Sequence, residues 1–535
     1  MVYPGHSSRG CYNCRSRKVK CDETKPICLR CTKAKRHCEG YRDSDANNNN
    51  VPEKQDTVPG SKVDLLVAKR NNRTTTPSDD FWGSVWMNTQ FTTLLRYPST
   101  ALDRVNLHRL YADLVRLPQA ASIYGGCLTY IPQLSPSLMS SSPLLPALSA
   151  LILTFVVRKD NSQHAQEQAI NSYHRALQLT RQIIDCNTTS RRNEVILTML
   201  VLSMYEDLTN PCPNQSIFNP HLGGAIAFVK AQDLVSFQDK TSKGLYIALL
   251  TRFMAACLII DTTHTVQEFP FTMPELLTLH DALVQTPFVS PRSQLQVYLC
   301  KLAILHLQIS DVACNLNSGH TSSTNITGIV DSINATTHQL SQWPSSLPAD
   351  WIYSTMVVPS EDWSLWTPVA HVYSSFWAAN DWTRYRALQI CTCHLRLRFY
   401  HLLTTATKRA NTASISLDCL SSDISTTRVK IRNLANDICA SMLYHLGYRC
   451  TGSADRQYPI EAYPQGKYAR LTSASQVTWP LYVAGTVEGV DAAQRMWIAS
   501  QLDVIGDEIG VKQANAMAEV VREVALRELI RGSGG

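Results

Sequence analysis

The sequence predicts a small cysteine-rich head, a polar linker and a large all-α body. Three observations carry that reading. Six of the seventeen cysteines lie between positions 11 and 38, where an even spread would place about one. The basic excess is confined to the first 42 residues. From about residue 80 onward, apolar residues recur three and four positions apart, without strand alternation or strand–helix repeats. The 535 residues, 44% hydrophobic and 17% charged, suffice for about three or four domains of ordinary size. A wholly disordered chain and a small disulfide-stapled one are both excluded.

In the head, charge and thiols coincide. Residues 1–42 hold eleven Lys or Arg against three acids, a balance of +8, whereas the whole chain is +7 and positions 43–535 are therefore −1. A polyanion-binding head on a neutral body has this signature. Met1 to His6 offer no apolar secretory core, so a reducing nucleus or cytosol is expected, where clustered thiols hold metal more often than they pair. The Asn-x-Ser/Thr triplets at Asn72, Asn187, Asn214, Asn325 and Asn334 are accordingly read as chance.

The six cysteines are Cys11, Cys14, Cys21, Cys28, Cys31 and Cys38, which is Cys-x2-Cys-x6-Cys twice over. A tetrahedral zinc needs four ligands, so six thiolates serve two ions only if two of them bridge. A segment of this size with few apolar residues would then derive its folding free energy from metal. Six thiolates and two Zn2+ would leave the folded head at about +6, still strongly cationic.

The run from Gly10 through Cys11, Cys14, Arg15, Arg17, Lys18 and Lys20 to Cys21-Asp22, with Lys25-Pro-Ile-Cys28-Leu-Arg-Cys31 and Cys38, resembles the fungal six-cysteine binuclear zinc cluster of transcription factors. The resemblance implies a small zinc-stabilised two-helix cluster with two Zn2+. Cys11 and Cys28 would bridge, Cys14 and Cys21 would complete one site, and Cys31 and Cys38 the other. It also implies that a short helix over Arg15 to Lys20 enters the major groove of double-stranded DNA. There Lys18 would read guanine O6 and N7 of a CGG-type triplet, while Arg15, Arg17 and Lys20 grip phosphates. Pro26 matches the loop proline joining the halves. A metal store, a zinc or redox sensor with only nonspecific DNA contact, and a bare import signal are the competing readings.

Positions 43–79 form the expected linker, with Asn47 to Asn50, Pro52, Pro59 and Thr74 to Ser78. As a flexible coil it would span about 30 to 37 Å. Its apolar patch Val63 to Val67 is too short for a coiled coil.

In the body, residues 80–535, Ile170, Tyr173, Leu177, Ile183 and Ile184 mark one helical face and Leu395, Leu402 and Leu403 belong to another. Pro- and Gly-containing breaks fall near Ser135 to Pro146, Asn210 to Pro213, Trp343 to Pro348 and Gly452 to Pro464, in one lobe or two. The best apolar run, Leu144 to Val157, is interrupted by Pro146 and is too short for a bilayer, so no membrane partner is expected.

Ser203-Met-Tyr-Glu-Asp, His221-Leu-Gly-Gly-Ala, Phe376 through Ala387, Trp479 through Gly485 and Arg495-Met-Trp-Ile resemble the fungal-specific regulatory domain that accompanies such clusters. The resemblance implies an α-helical regulatory domain without a shared catalytic activity. Trp363, Trp366, Trp377 and Trp382 are read as helix packing before a ligand pocket, and Cys391-Thr-Cys-His394 as buried and inert. Asp503 to Leu529 suits an activation helix or a docking helix of the body. There is no phosphate loop, His-Glu-x-x-His or Gly-x-Ser-x-Gly, so no catalytic residue and no further cofactor is named. An enzyme in the body with a DNA-targeting head is the remaining alternative.

The expected function is that of a nuclear transcription factor of the RNA polymerase II type. Transcription machinery would be a partner, and because one triplet cannot address a promoter, either a second copy joins through the body or a monomer binds with help from its linker. Control of a biosynthetic gene cluster or nutrient pathway is what relatives suggest.

Overall fold

The computed structural model describes residues 11, 14, 17, 19–24, 28–34 and 38 near the N-terminus, and 127–134, 141–160, 163–186, 189–209, 219–231, 239–258, 271–285, 291–317, 326–358, 365–410, 417–447 and 467–533. The chain divides into two compact units, Met1–Thr76 and Pro77–Gly535. The expected linker at 43–79 lies outside the described residues.

In the first unit the described residues include α1 (Leu29–Lys33), and Cys14 has helical backbone too. The described residues of the second are mostly helical. Its first helices are α2 (Ile131–Leu134), α3 (Leu144–Asp160), α4 (Gln163–Asp185), α5 (Arg192–Thr209), α6 (Pro220–Lys230), α7 (Lys240–Cys257) and α8 (Met273–Val284). They are followed by α9 (Pro291–Asn317), α10 (Ile326–Ser341), α11 (Phe376–Ala410), α12 (Leu417–Ala440), α13 (Met442–His445), α14 (Lys467–Thr486), α15 (Ala492–Val504) and α16 (Lys512–Ser533). The expected breaks at Asn210 to Pro213 and Gly452 to Pro464 lie outside the described residues, Pro146 falls inside the first turn of α3, and the Trp343 to Pro348 break follows the end of α10. Among the described residues the exception to all-α is a two-stranded antiparallel ribbon, β1 (Ser354–Val357) on β2 (Val369–Val372), registered Ser354 to Val372. Four-residue strands are too short to give an alternation signal.

Helix α5 explains why the body closes around one core. Val195 to Leu202 are buried in succession, so this helix is apolar on every side and must be surrounded. Helices α3, α4, α6, α7 and the distant α16 all touch it. Further along, α9 packs on α8 and α11, and α11 on α12 and α14. Among the described residues one large core runs from Cys127 to Val521, beside a small cluster of Tyr373, Ala378 and Ala379.

Three readings change. On α4 the buried face is Ala165, Ala169, Ala176, Leu179, Thr180 and Ile183, whereas Ile170 and Ile184 are exposed. Counting large apolar residues missed the alanines, which let α3 approach closely. Helix α9 is long and apolar enough to cross a membrane by length and composition, with a mean hydropathy of 1.4 over its best window, which the expectation of no such segment overlooked. Its Leu295, Leu299, Leu302 and Ile309 are buried in the core, which accounts for that composition. Finally, α16 docks: Ala514, Met517, Ala518 and Val521 are buried, while Leu526 stands exposed.

The motif pieces that resembled a regulatory domain are structural joints. The Asn219 side chain caps α6 by accepting from His221 N–H at 3.0 Å and donates to Ser203 O at 2.8 Å and Asp207 Oδ1 at 3.1 Å. Arg252 pairs with the same Asp207. Tyr173 O–H donates to Glu206 Oε1 at 2.5 Å, and His221 Nε2 lies 3.1 Å from that oxygen. Arg495, almost fully buried, donates to Gly485 O at 2.5 Å, Val487 O at 2.7 Å and Glu528 Oε2 at 3.0 Å. It thereby satisfies carbonyls orphaned where α14 ends.

Candidate zinc cluster and nucleic-acid interface

The two Cys-x2-Cys-x6-Cys halves fold alike. In each, the first cysteine's N–H donates to the third cysteine's sulfur: Cys11 N to Cys21 Sγ at 3.4 Å, and Cys28 N to Cys38 Sγ at 3.5 Å. In each, the second cysteine's N–H donates to the first one's sulfur: Cys14 N to Cys11 Sγ at 3.4 Å, and Cys31 N to Cys28 Sγ at 3.2 Å. The repeat in spacing is thus a repeat in backbone geometry. Donors aimed at sulfur favour the thiolate form.

Two sets of sulfurs converge. Cys11, Cys14, Cys21 and Cys28 form one, and Cys11, Cys28, Cys31 and Cys38 the other, each with ligand atoms within 4.8 Å of one another. Cys11 and Cys28 are common to both, which is the sharing that six ligands and two ions require. A tetrahedral zinc with bonds of about 2.3 Å sets its sulfurs about 3.8 Å apart. Here Cys11 and Cys28 are 3.7 Å apart, Cys14 and Cys28 3.7 Å, and Cys11 and Cys31 3.9 Å. Cys14 and Cys31, one from each set, are also 3.9 Å apart. The donor set therefore fits two zinc ions. Burial and crowding by neighbouring thiols push Cys11 and Cys14 up to about 12, and a divalent cation reverses that balance by stabilising thiolate.

Two ties hold the halves together, and neither was singled out in the sequence. Asp22 follows the third cysteine directly and accepts from Leu29 N–H at 3.0 Å and Arg30 N–H at 2.7 Å, the first turn of α1. It also accepts from Thr24 N–H at 3.1 Å, around Glu23, whose φ of 59° is left-handed. Its hydrogen bonds to Thr24, with those from Arg30 and Leu29, hold the carboxyl well below its ordinary range. In return Arg30 Nη1 donates to Lys20 O at 2.7 Å. Arg30, counted above as one more cation, thus fixes the backbone that carries Lys20. An acid next to a ligand was the available signal; its partners seven and eight residues on were not.

Of the expected DNA contacts, Arg17 and Lys20 have exposed side chains flanking half-buried Val19, which packs on the sulfur core. Arg15, Lys18 and Pro26 lie outside the described residues. A rigid sulfur core under projecting cations can present charge to a polyanion at fixed spacing.

In the body, the aromatic group resolves into packing contacts. Trp382 Nε1 donates to Trp351 O at 2.9 Å, Trp366 Nε1 donates to Asn436 Oδ1 at 3.0 Å, and the Arg292 guanidinium covers Trp377 at 4.7 Å. Trp363 lies outside the described residues. Cys391 and Cys393 are buried in α11, and burial pushes the Cys391 thiol up to about 12. Among the described residues, the cysteine, histidine and carboxylate groups arranged for a metal are those of the head.

A six-thiol core with two shared sulfurs defines a small metal-folded module. Residues 9–48 match the fungal Zn(2)-Cys(6) binuclear cluster domain, and this segment belongs to that family, whose cofactor is a pair of zinc ions. Over 37 residues the chain is 65% identical to the transcriptional regulatory protein moc3 of Schizosaccharomyces pombe, 7% of either chain. Over 74 residues it is 32% identical to the aspercryptin biosynthesis cluster-specific transcription regulator atnN of Emericella nidulans, 14% of this chain and 12% of that one. Over 34 residues it is 53% identical to white-opaque regulator 2 of Candida albicans, 6% of this chain and 8% of that one. The similarity thus spans only a small part of each relative's length. No solved structure matches the chain.

Proposed function

We propose that the protein is a nuclear, sequence-specific regulator of transcription by RNA polymerase II. The shared-sulfur geometry of the head is the observation that supports this most. In this reading residues 1–42 are the DNA-binding domain, 43–79 a linker and 80–535 a helical regulatory domain. Cys11 and Cys28 bridge two zincs, Cys14 and Cys21 complete one site, and Cys31 and Cys38 the other. Zinc supplies the folding energy of the head and performs no chemistry on DNA.

Lys18 donates to guanine in a CGG-type triplet, and Arg15, Arg17 and Lys20 neutralise phosphates. A triplet is too frequent to mark a promoter, so a second half-site read by a second copy completes the address. The name of the Emericella relative favours control of a biosynthetic gene cluster in secondary metabolism.

Titration of the full chain against CGG-containing and scrambled duplexes tests the assignment. Lys18→Ala removes most of the preference for the triplet, about 1–3 kcal/mol. Arg15→Ala weakens both duplexes alike and lowers the salt slope by about 0.9. Equal losses on both duplexes for Lys18→Ala contradict its role.

A further inference from the structure

Arg30 departs from the internal symmetry of the head. Aligned on their cysteines, the two halves place Asn13 where Arg30 stands and Glu39 where Asp22 stands. The sulfur geometry is therefore repeated, while an arginine between the first two cysteines belongs to the second half alone. Its side chain is exposed, yet Nη1 reaches across to the first half and donates to Lys20 O at 2.7 Å, at a cost in rotamer entropy. In the opposite direction the Arg30 N–H donates to Asp22 Oδ2 at 2.7 Å. One residue thus clasps the strand on either side of Cys21, with its side chain at Lys20 and its backbone at Asp22.

The sulfur sets fix what this clasp can transmit. Arg30 lies between Cys28, common to both sets, and Cys31, which belongs to the second, whereas Lys20 precedes Cys21, which belongs to the first. Val19 is seated independently, by its N–H on Cys14 O at 3.0 Å and by packing on the sulfur core. The next carbonyl, Lys20 O, is the one Arg30 holds. Turning that peptide would redirect the exposed Lys20 side chain while Val19 and the cysteine ligands stayed in place.

We propose that Arg30 is a positioning residue for DNA binding, which keeps Lys20 aimed at a phosphate by holding its carbonyl. The proposal rests on the reading of the head as a DNA-binding domain. In the free chain the exposed bond competes with water and adds little to stability. Against a duplex, water is displaced and the same bond is stronger, so its loss is felt in the complex. Through Arg30 the second half of the head, which carries no expected base contact, governs the grip of the first.

The test is a double-mutant cycle on the full zinc-loaded chain, titrated with a CGG-containing duplex over a range of salt, with native mass spectrometry counting zinc in each variant. Arg30→Lys keeps the charge but has a shorter stem and no fork. It should retain two zincs, weaken binding about three- to tenfold and lower the salt slope by up to about 0.9, as though a phosphate contact were lost although no charge has been removed. Lys20→Gln should do the same, and the double variant should bind within about twofold of Lys20→Gln. The cycle with Arg17→Gln should be additive. Unchanged affinity and slope in Arg30→Lys, loss of its zinc, additive losses with Lys20→Gln, or equal coupling to Arg17 each overturn the proposal. A chain that binds no duplex overturns the DNA-binding reading together with it; a chain that binds and is weakened by Lys20→Gln, with an additive cycle, overturns this proposal alone.

Discussion

Replacing Cys28 by serine should harm both zinc sites, whereas replacing Cys38 should harm one. Cys28 is common to the two sulfur sets and Cys38 belongs to one. A structural zinc is worth about 10–16 kcal/mol, or about 2.5–4 kcal/mol for each of its four sulfur bonds. Cys38→Ser removes one bond and should weaken one ion about 10²- to 10³-fold, leaving the other near its original affinity. Cys28→Ser removes two bonds, about 5–8 kcal/mol, one from each ion. Serine still caps helices, so the N-cap role of Cys28 toward Cys31 N–H is preserved and metal loss is isolated. Native mass spectrometry during a chelator titration reads the difference. It should show a persistent one-zinc species for Cys38→Ser and none for Cys28→Ser. A stable one-zinc Cys28→Ser chain would refute shared ligation.

Three further outcomes follow from the described contacts. Asp22→Ala should release the Leu29 and Arg30 amides, raising their hydrogen exchange roughly tenfold with zinc still bound; unchanged protection would deny the clamp. Gly485→Ala places a Cβ 2.7 and 2.8 Å from the Val521 methyls, so it should cost about 1–3 kcal/mol in denaturant melts. Combination with Val521→Ala should recover part of that loss, and strict additivity would argue against the contact. His371 and His445 are both held to about 3, below the ordinary 6.5, chiefly by burial. Both are neutral in either state above pH 6.5, and below it the unfolded chain takes up protons that the folded chain refuses. Body stability should therefore fall with decreasing pH from 6.5 toward 3, by about 1.4 kcal/mol per unit for each histidine. A flat profile between pH 6 and 4.5 would show that they are not buried neutral.

The metal chemistry was legible because it is local. The Cys-x2-Cys-x6-Cys repeat reappears as matching N–H to sulfur bonds in both halves. The Asp22 to Arg30 clamp was not, since its partners meet only after the halves fold together. In the body, helix periods and proline breaks placed Leu395 and Leu403 correctly in the core. They failed on α4, where the interface is built from alanines that a hydrophobicity count discounts. Ribbon β1–β2 escaped because its pairing is tertiary.

Zinc content and duplex selectivity measured on the same full-length sample bear most directly on the account. Two zincs per chain should accompany preference for CGG-containing DNA, chelation should abolish that preference, and added zinc should restore it. Selective recognition that survives complete removal of zinc would contradict the account.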